Sequence, residues 1–200
     1  VLDELEHFFF SRGADAFHEV SPLADGSALE RLNGRGYRPC EFTAVTFQRI
    51  EAAGLEVDMP PDLAVGLTPA GELATWADTA VEGWSEFAEV LPFMRGFGAM
   101  AASAEDAYPF LARIAGAPVA TGMLAMHGGV ALLAGASTVP SFRGRGAQRA
   151  LLQTRLRYAA DAGCSLAMMC AAPGGGSQRN AERSGFRIAY TRIKWHKPRP

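Results

Sequence analysis

The chain has 200 residues, 48% of them hydrophobic and 20% charged, which fits an ordinary globular protein with enough core for one domain or one and a half. A formal net charge of −2 argues against broad nucleic-acid binding, so any local group of arginines reads as a local device. Cys40, Cys164 and Cys170 are odd in number with no C-x-x-C spacing, and His7, His18, His127 and His196 are scattered; reduced thiols in a cytoplasmic setting are expected, with no disulfide framework and no metal site.

In chain order, Leu2, Leu5, Phe8 and Phe9 recur at helical spacing and predict an amphipathic helix over 1–11, stopped at Gly13. A short strand over 16–20 follows, then a helix capped near Asp25 to Ser27 and ended by Gly34-Arg35-Gly36. Tyr37 to Ile50 reads as a strand. Residues 56–61, with Pro60-Pro61, read as a linker, and Leu63 to Leu67 as a strand. Thr68-Pro69 starts a helix, Thr as cap and Pro at its first position, that runs through Trp76 to about Val81. A further helix is expected from Phe87 to Ala102, then strands near 108–114, 118–125 and 130–139. The segment from Ile114 to Phe142 has no charged residue between its ends, but Pro118, His127-Gly128-Gly129 and Pro140 break it into strands and turns instead of a membrane helix. The chain opens at Val1 instead of Met, consistent with upstream sequence, and no secretory signal is visible. Residues 147–162 form an amphipathic helix, with Leu152, Leu156 and Ala159 on one face. Cys164 to Ala172 is nearly free of polar residues, as a strand covered on both faces is.

Two segments repeat one another. Gly13 to Ser27 spans the same distance as Gly163 to Ser177, and Gly36-Tyr37-Arg38 matches Gly185-Phe186-Arg187 with a one-residue shift. Residues 1–55 are therefore expected to be a partial second copy of the fold, beside a main domain over 62–200.

The stretch with most chemistry is Arg143-Gly144-Arg145-Gly146-Ala147-Gln148, between an apolar strand and an amphipathic helix. Gly144 and Gly146 allow a tight turn and close approach of a ligand. The first N–H groups of the helix point into that turn, where the macrodipole favours an anion. No Lys-Ser or Lys-Thr follows the glycines, and Arg149 stands where a dinucleotide fingerprint needs its third glycine.

The same six residues resemble the pyrophosphate loop of the GCN5-related N-acetyltransferases, whose pattern is Arg/Gln-x-x-Gly-x-Gly/Ala. Arg143 and Gly146 match it, and Gln148 departs at the last position. The run Ser177-Gln178-Arg179-Asn180-Ala181-Glu182-Arg183-Ser184-Gly185-Phe186 resembles the family's short helix ending in Gly-Phe. The resemblance covers about 62–197 and implies a mixed α/β fold, an acetyl-CoA N-acyltransferase with a partial repeat at its N-terminal side. It implies acetyl-CoA as cofactor, held by Ser137, Thr138, Val139, Arg143, Gly144, Arg145, Gly146, Ala147 and Gln148. Ser177 or Asn180 takes over from the family's pantetheine-binding Asn, whose place is Gly174 here.

The implied activity is transfer of an acetyl group to a small-molecule amine by direct attack on the thioester, without nucleic-acid or membrane partners. The main-chain N–H near Val139 is the candidate oxyanion donor, and Trp76, Trp84, Phe87, Phe93 and Phe97 are candidate linings of the acceptor pocket. The family's tyrosine acid falls on Ala181 here, which leaves Tyr190 as the nearest hydroxyl. A non-catalytic acyl-CoA-binding module is the alternative.

Overall fold

The computed structural model describes residues 1–51, 57, 59–86, 91, 96, 100, 104 and 106–200. The chain divides into two compact units, one of Val1–Phe47 with Cys170–Pro200 and one of Gln48–Met169.

The first unit contains α1 (Leu2–Phe10), β1 (Ala16–Val20), α2 (Gly26–Gly34), most of β2 (Arg38–Arg49), α5 (Gly176–Arg183) and β8 (Arg187–Lys197). Asp25 caps α2 by accepting the Ser27 N–H at 2.8 Å. β8 lies between β1 and β2 and is antiparallel to both, pairing Ala16 with Lys197 and Arg38 with His196. The helix–strand–helix–strand order expected for 1–55 is present. The expected separation from 62–200 is not where the units divide, because both N-terminal strands pair with a strand formed more than a hundred residues later.

The repeated Gly-aromatic-Arg corners share one geometry. Gly36 and Gly185 have φ of 84° and 91°, left-handed values that favour glycine. Tyr37 N–H reaches the Leu32 carbonyl and Phe186 N–H the Ala181 carbonyl, each at 3.0 Å. Gly36 N–H bonds Asn33 O and Gly185 N–H bonds Glu182 O, so each helix ends in a Schellman motif. The aromatic that follows is buried both times.

Ala16, Leu32, Tyr37 and Trp195 form this unit's core, with Leu2, Phe9 and Phe10 against it. The expected stripe on α1 is therefore rotated. Leu5 and Phe8 are exposed and Glu6 is buried. Glu6 goes inward because it accepts from Arg35 Nε at 2.9 Å and Lys197 Nζ at 2.8 Å.

The second unit has strand order β7-β6-β5-β4-β3. Its elements are β3 (Leu63–Leu67), α3 (Leu73–Gly83), β4 (Ala107–Ile114), β5 (Ala117–His127), β6 (Val130–Thr138), α4 (Ala147–Asp161) and β7 (Leu166–Ala171), whose last residues lead into the first unit. β3 to β6 are antiparallel neighbours, and β6 is parallel to β7 through α4. Trp76, Ala80, Leu111 and Met123 form a core cluster between α3 and the sheet. Thr68 does not cap α3; its N–H bonds Pro109 O, and a single 3-10 turn at Ala70–Glu72 leads into the helix. Most of the helix expected over Phe87–Ala102 lies outside the described residues. Among those described, no helix is long and apolar enough to cross a membrane.

Candidate functional site

At the end of β6 the backbone makes one 3-10 turn, Pro140–Phe142, and then passes through Gly144 and Gly146 at φ of 79° and 84°. A Cβ on Gly144 would meet open space, and one on Gly146 only Pro60 Cγ at 3.6 Å. The glycines are thus required by their left-handed backbone instead of by packing. Gly146 is the N-cap of α4, and among the described residues no side-chain capping bond is present. Its first N–H groups lie outside the intrahelical ladder, at the positive end of a helix of 15 residues.

The arginines divide their work. Arg143 turns back to α3, donating to Gly83 O at 3.3 Å and Thr138 O at 3.4 Å and pairing with Glu86. A cation beside the last carbonyls of a helix is favourable, so Arg143 is a clasp between the turn and α3. Arg145 pairs with Asp62 at 3.2 Å and lies over the Phe142 ring. Its side chain is half exposed, and a surface pair of this kind contributes about 0–1 kcal/mol, so an arriving phosphate can compete for it.

Gln148, the departure from the family pattern, has a visible task. Its amide donates to Ser137 O at 2.6 Å and to Thr138 Oγ1 at 2.8 Å, tying the first turn of α4 to the end of β6.

Two of the expected cofactor contacts have groups already engaged within the protein. Ser137 is buried, its hydroxyl 2.9 Å from Thr121 Oγ1 and 3.3 Å from Ala80 O. A Cβ on Gly83 would fall 2.6 Å from that hydroxyl, so α3 packs directly onto it. Val139 N–H donates to Val119 O at 2.9 Å. That N–H is engaged by β5 one residue past the end of β6 and is no free oxyanion donor.

The aromatic set also separates. Trp76 is 2% exposed and its Nε1–H donates to Phe110 O at 3.0 Å, so it is core and not pocket lining. Trp84 follows the end of α3 and is 36% exposed. Phe87, Phe93 and Phe97 lie outside the described residues. Ser177 and Asn180 are exposed on α5, and Tyr190 is half-buried on β8 opposite Val45, all in the first unit. Ala181, at the place of the family's tyrosine, is buried and is part of the Schellman corner.

The acetyltransferase (GNAT) family model matches residues 72–186. The chain belongs to this family. It is therefore an N-acetyltransferase that uses acetyl-CoA. Among solved structures it is similar to a GCN5-related N-acetyltransferase from Kribbella flavida, with 21% identity, 100% of this chain and 74% of that one covered, and a TM-score of 0.75. A GCN5-related N-acetyltransferase from Sphaerobacter thermophilus is 19% identical over 94% of this chain and 61% of its own, at a TM-score of 0.65. AAC(6')-Iy, solved with the bisubstrate analog CoA-S-monomethyl-acetylneamine, is 20% identical over 62% of this chain and 90% of its own, at a TM-score of 0.51. These likenesses show the fold. A search of curated proteins returns no match.

In the 143–148 turn both glycines hold a backbone that a Cβ would strain, and the N-cap of α4 is a glycine. Sequence reasoning missed Arg155, fully buried on α4, and Gly122, on which it rests. The signal was present: Arg155 stands between Leu151 and Ala159 at i, i+4 spacing, a charge inside an apolar stripe.

Proposed function

We propose that this acetyltransferase acts on a small-molecule amine, which attacks the acetyl carbonyl directly. The observation that carries the reading is the uncapped N-terminus of α4 behind two left-handed glycines, an anion cradle with Arg145 at its rim. Bound acetyl-CoA supplies an activated thioester, so the chain's own task is to position it and to exclude misplaced attack. Gly144, Gly146 and the first turn of α4 hold the pyrophosphate, Arg145 exchanges Asp62 for phosphate, and Gln148 keeps the turn fastened to β6. Thr138 faces the same turn through its bond to Gln148. Ser177 and Asn180 are carried as contacts of the pantetheine arm on the strength of the Gly-Phe helix they belong to. Trp84 is carried as an acceptor-side residue.

Protons are handled without a tyrosine at position 181, and we assign the leaving thiolate's proton to solvent, with Tyr190 as the competing donor. AAC(6')-Iy binds the bisubstrate analog CoA-S-monomethyl-acetylneamine in its solved complex; this supports the small-amine class without naming this acceptor. The second reading, an acyl-CoA-binding module without turnover, is favoured by Ala181 and by the engaged Val139 N–H. A steady-state assay of CoA release across a panel of small amines separates the two. Release with at least one amine above the rate of acetyl-CoA hydrolysis supports the enzyme reading. Tight acetyl-CoA binding with no release across the panel overturns it in favour of the binding module.

A further inference from the structure

The Arg155 side chain lies inside the second unit at 2% exposure, and no carboxylate among the described residues pairs with it. Its Nε donates to Leu151 O at 3.1 Å, and Nη1 donates to Met123 O at 2.9 Å and Ala134 O at 3.2 Å. Burial pushes its pKa down to about 10, and a guanidinium keeps its charge in proteins at neutral pH. Burying a cation is costly, and among the described residues three carbonyl oxygens offset it.

What it sits on explains the cost. A Cβ on Gly122 would be 2.7 Å from Arg155 Cζ, so the guanidinium occupies the space that any other residue's side chain would fill. Across the ladder, Thr121 pairs with Ser137 and Met123 with Ala134, so Gly135 and Ala136 together oppose Gly122. This is a bulge in β6. Gly135 has φ of 58°, and a Cβ there would meet Met123 Cβ at 3.1 Å. Gly122, Gly135 and Arg155 fit as one device: the bulge loosens the ladder, and the cation binds the carbonyls on its rim. On the far side of the bulge Gln148, two turns earlier on the same helix, holds Ser137 O and Thr138 Oγ1. The helix α4 thus grips β6 on both sides of the bulge.

We propose that Arg155 is a positioning residue for acetyl-CoA: by locking the bulge of β6 to α4, it sets the strand's end relative to the pyrophosphate turn. The inference rests on the reading of 143–148 as the pyrophosphate cradle. A ligand that spans both the turn and β6 depends on their mutual placement. A ligand that fills the turn alone does not.

The test uses two probes in calorimetry, acetyl-CoA and 3′-phospho-ADP, which carries the nucleotide and pyrophosphate without the pantetheine arm. Arg155→Met should weaken acetyl-CoA at least tenfold and change 3′-phospho-ADP less than threefold. Arg155→Lys should recover part of the loss, since it keeps the cation. Gly122→Ala should reproduce the split by pushing the guanidinium off its seat, and it decides the matter together with Arg155→Lys if Arg155→Met does not fold. Equal losses for both probes, or no loss for either, in folded variants overturn the positioning role. Failure of the unsubstituted protein to bind either probe overturns the cradle itself, a result distinct from failure of Arg155 alone, and the positioning role falls with it.

Discussion

Replacing Gly146 by Glu tests the cradle most directly. At φ of 84° and ψ of −6° the backbone is left-handed, and an L-residue there costs about 1–2 kcal/mol. The new Cβ meets Pro60 Cγ at 3.6 Å, an ordinary contact that adds nothing. A carboxylate at the start of α4 gains about 0.3–1 kcal/mol from the macrodipole. The net cost to folding is about 1 kcal/mol, a fall in Tm of about 2–4 °C for a chain of this size. Binding responds much more strongly. Two unit charges about 5 Å apart at an effective dielectric constant of about 20 repel by about 3 kcal/mol, about two-hundredfold in Kd. The carboxylate also competes for the same N–H groups. Gly146→Ala carries the backbone strain without the charge and should lose less than about tenfold. The assay is calorimetric titration with acetyl-CoA, beside a thermal melt of each variant. A folded Gly146→Glu protein with unchanged acetyl-CoA affinity would refute the assignment of the turn.

Three further outcomes are expected. Trp76→Ala should behave as a core deletion, losing about 3–5 kcal/mol in urea denaturation; a variant of normal stability with only a raised acceptor KM would return Trp76 to the pocket. Glu6, held by Arg35 and then by Lys197, has its pKa lowered from 4.5 to about 2. A carboxylate depressed on folding contributes stability that is complete above its unfolded pKa and is lost as pH falls toward the folded one. Tm should therefore fall between about pH 4.5 and 2, and Glu6→Gln should flatten that fall; identical pH profiles would contradict the pairing. Tyr190→Phe should leave kcat within about tenfold, whereas a positioned acid contributes about 10²–10⁴-fold, so a loss beyond about a hundredfold would make Tyr190 the acid.

Most features set by local chemistry were legible in the sequence, the Thr68 cap excepted. The glycine turn, the Asp25 cap and the two Gly-aromatic corners depend on residues within one turn of each other, and each appears in the structure where its residues stand. Features set by long-range partners were not. Glu6 reads as a solvent-facing charge until Arg35 and Lys197 are seen to enclose it. Ser137 and Val139 read as candidate cofactor contacts, and only the fold shows that α3 and β5 engage the hydroxyl and the N–H. Trp76 has the same identity in a core or a pocket, and only the carbonyl it meets decides. The bulge opposite Gly122 is a question of register, which depends on two strands at once.

The place of β8 between β1 and β2 has a consequence for how the protein is made. Roughly 140 residues separate the end of β2 at Arg49 from the start of β8 at Arg187. At about 5–20 residues per second, ribosomes leave the two earlier strands without their shared neighbour for about 7–28 s. Through that interval β1 and β2 expose unpaired backbone edges, with Phe17 and Phe42 beside them, a ready template for the wrong chain. β1 and β2 are thus satisfied only after β8 has been made, and crowded polysomes translating this message are where self-association has its opening.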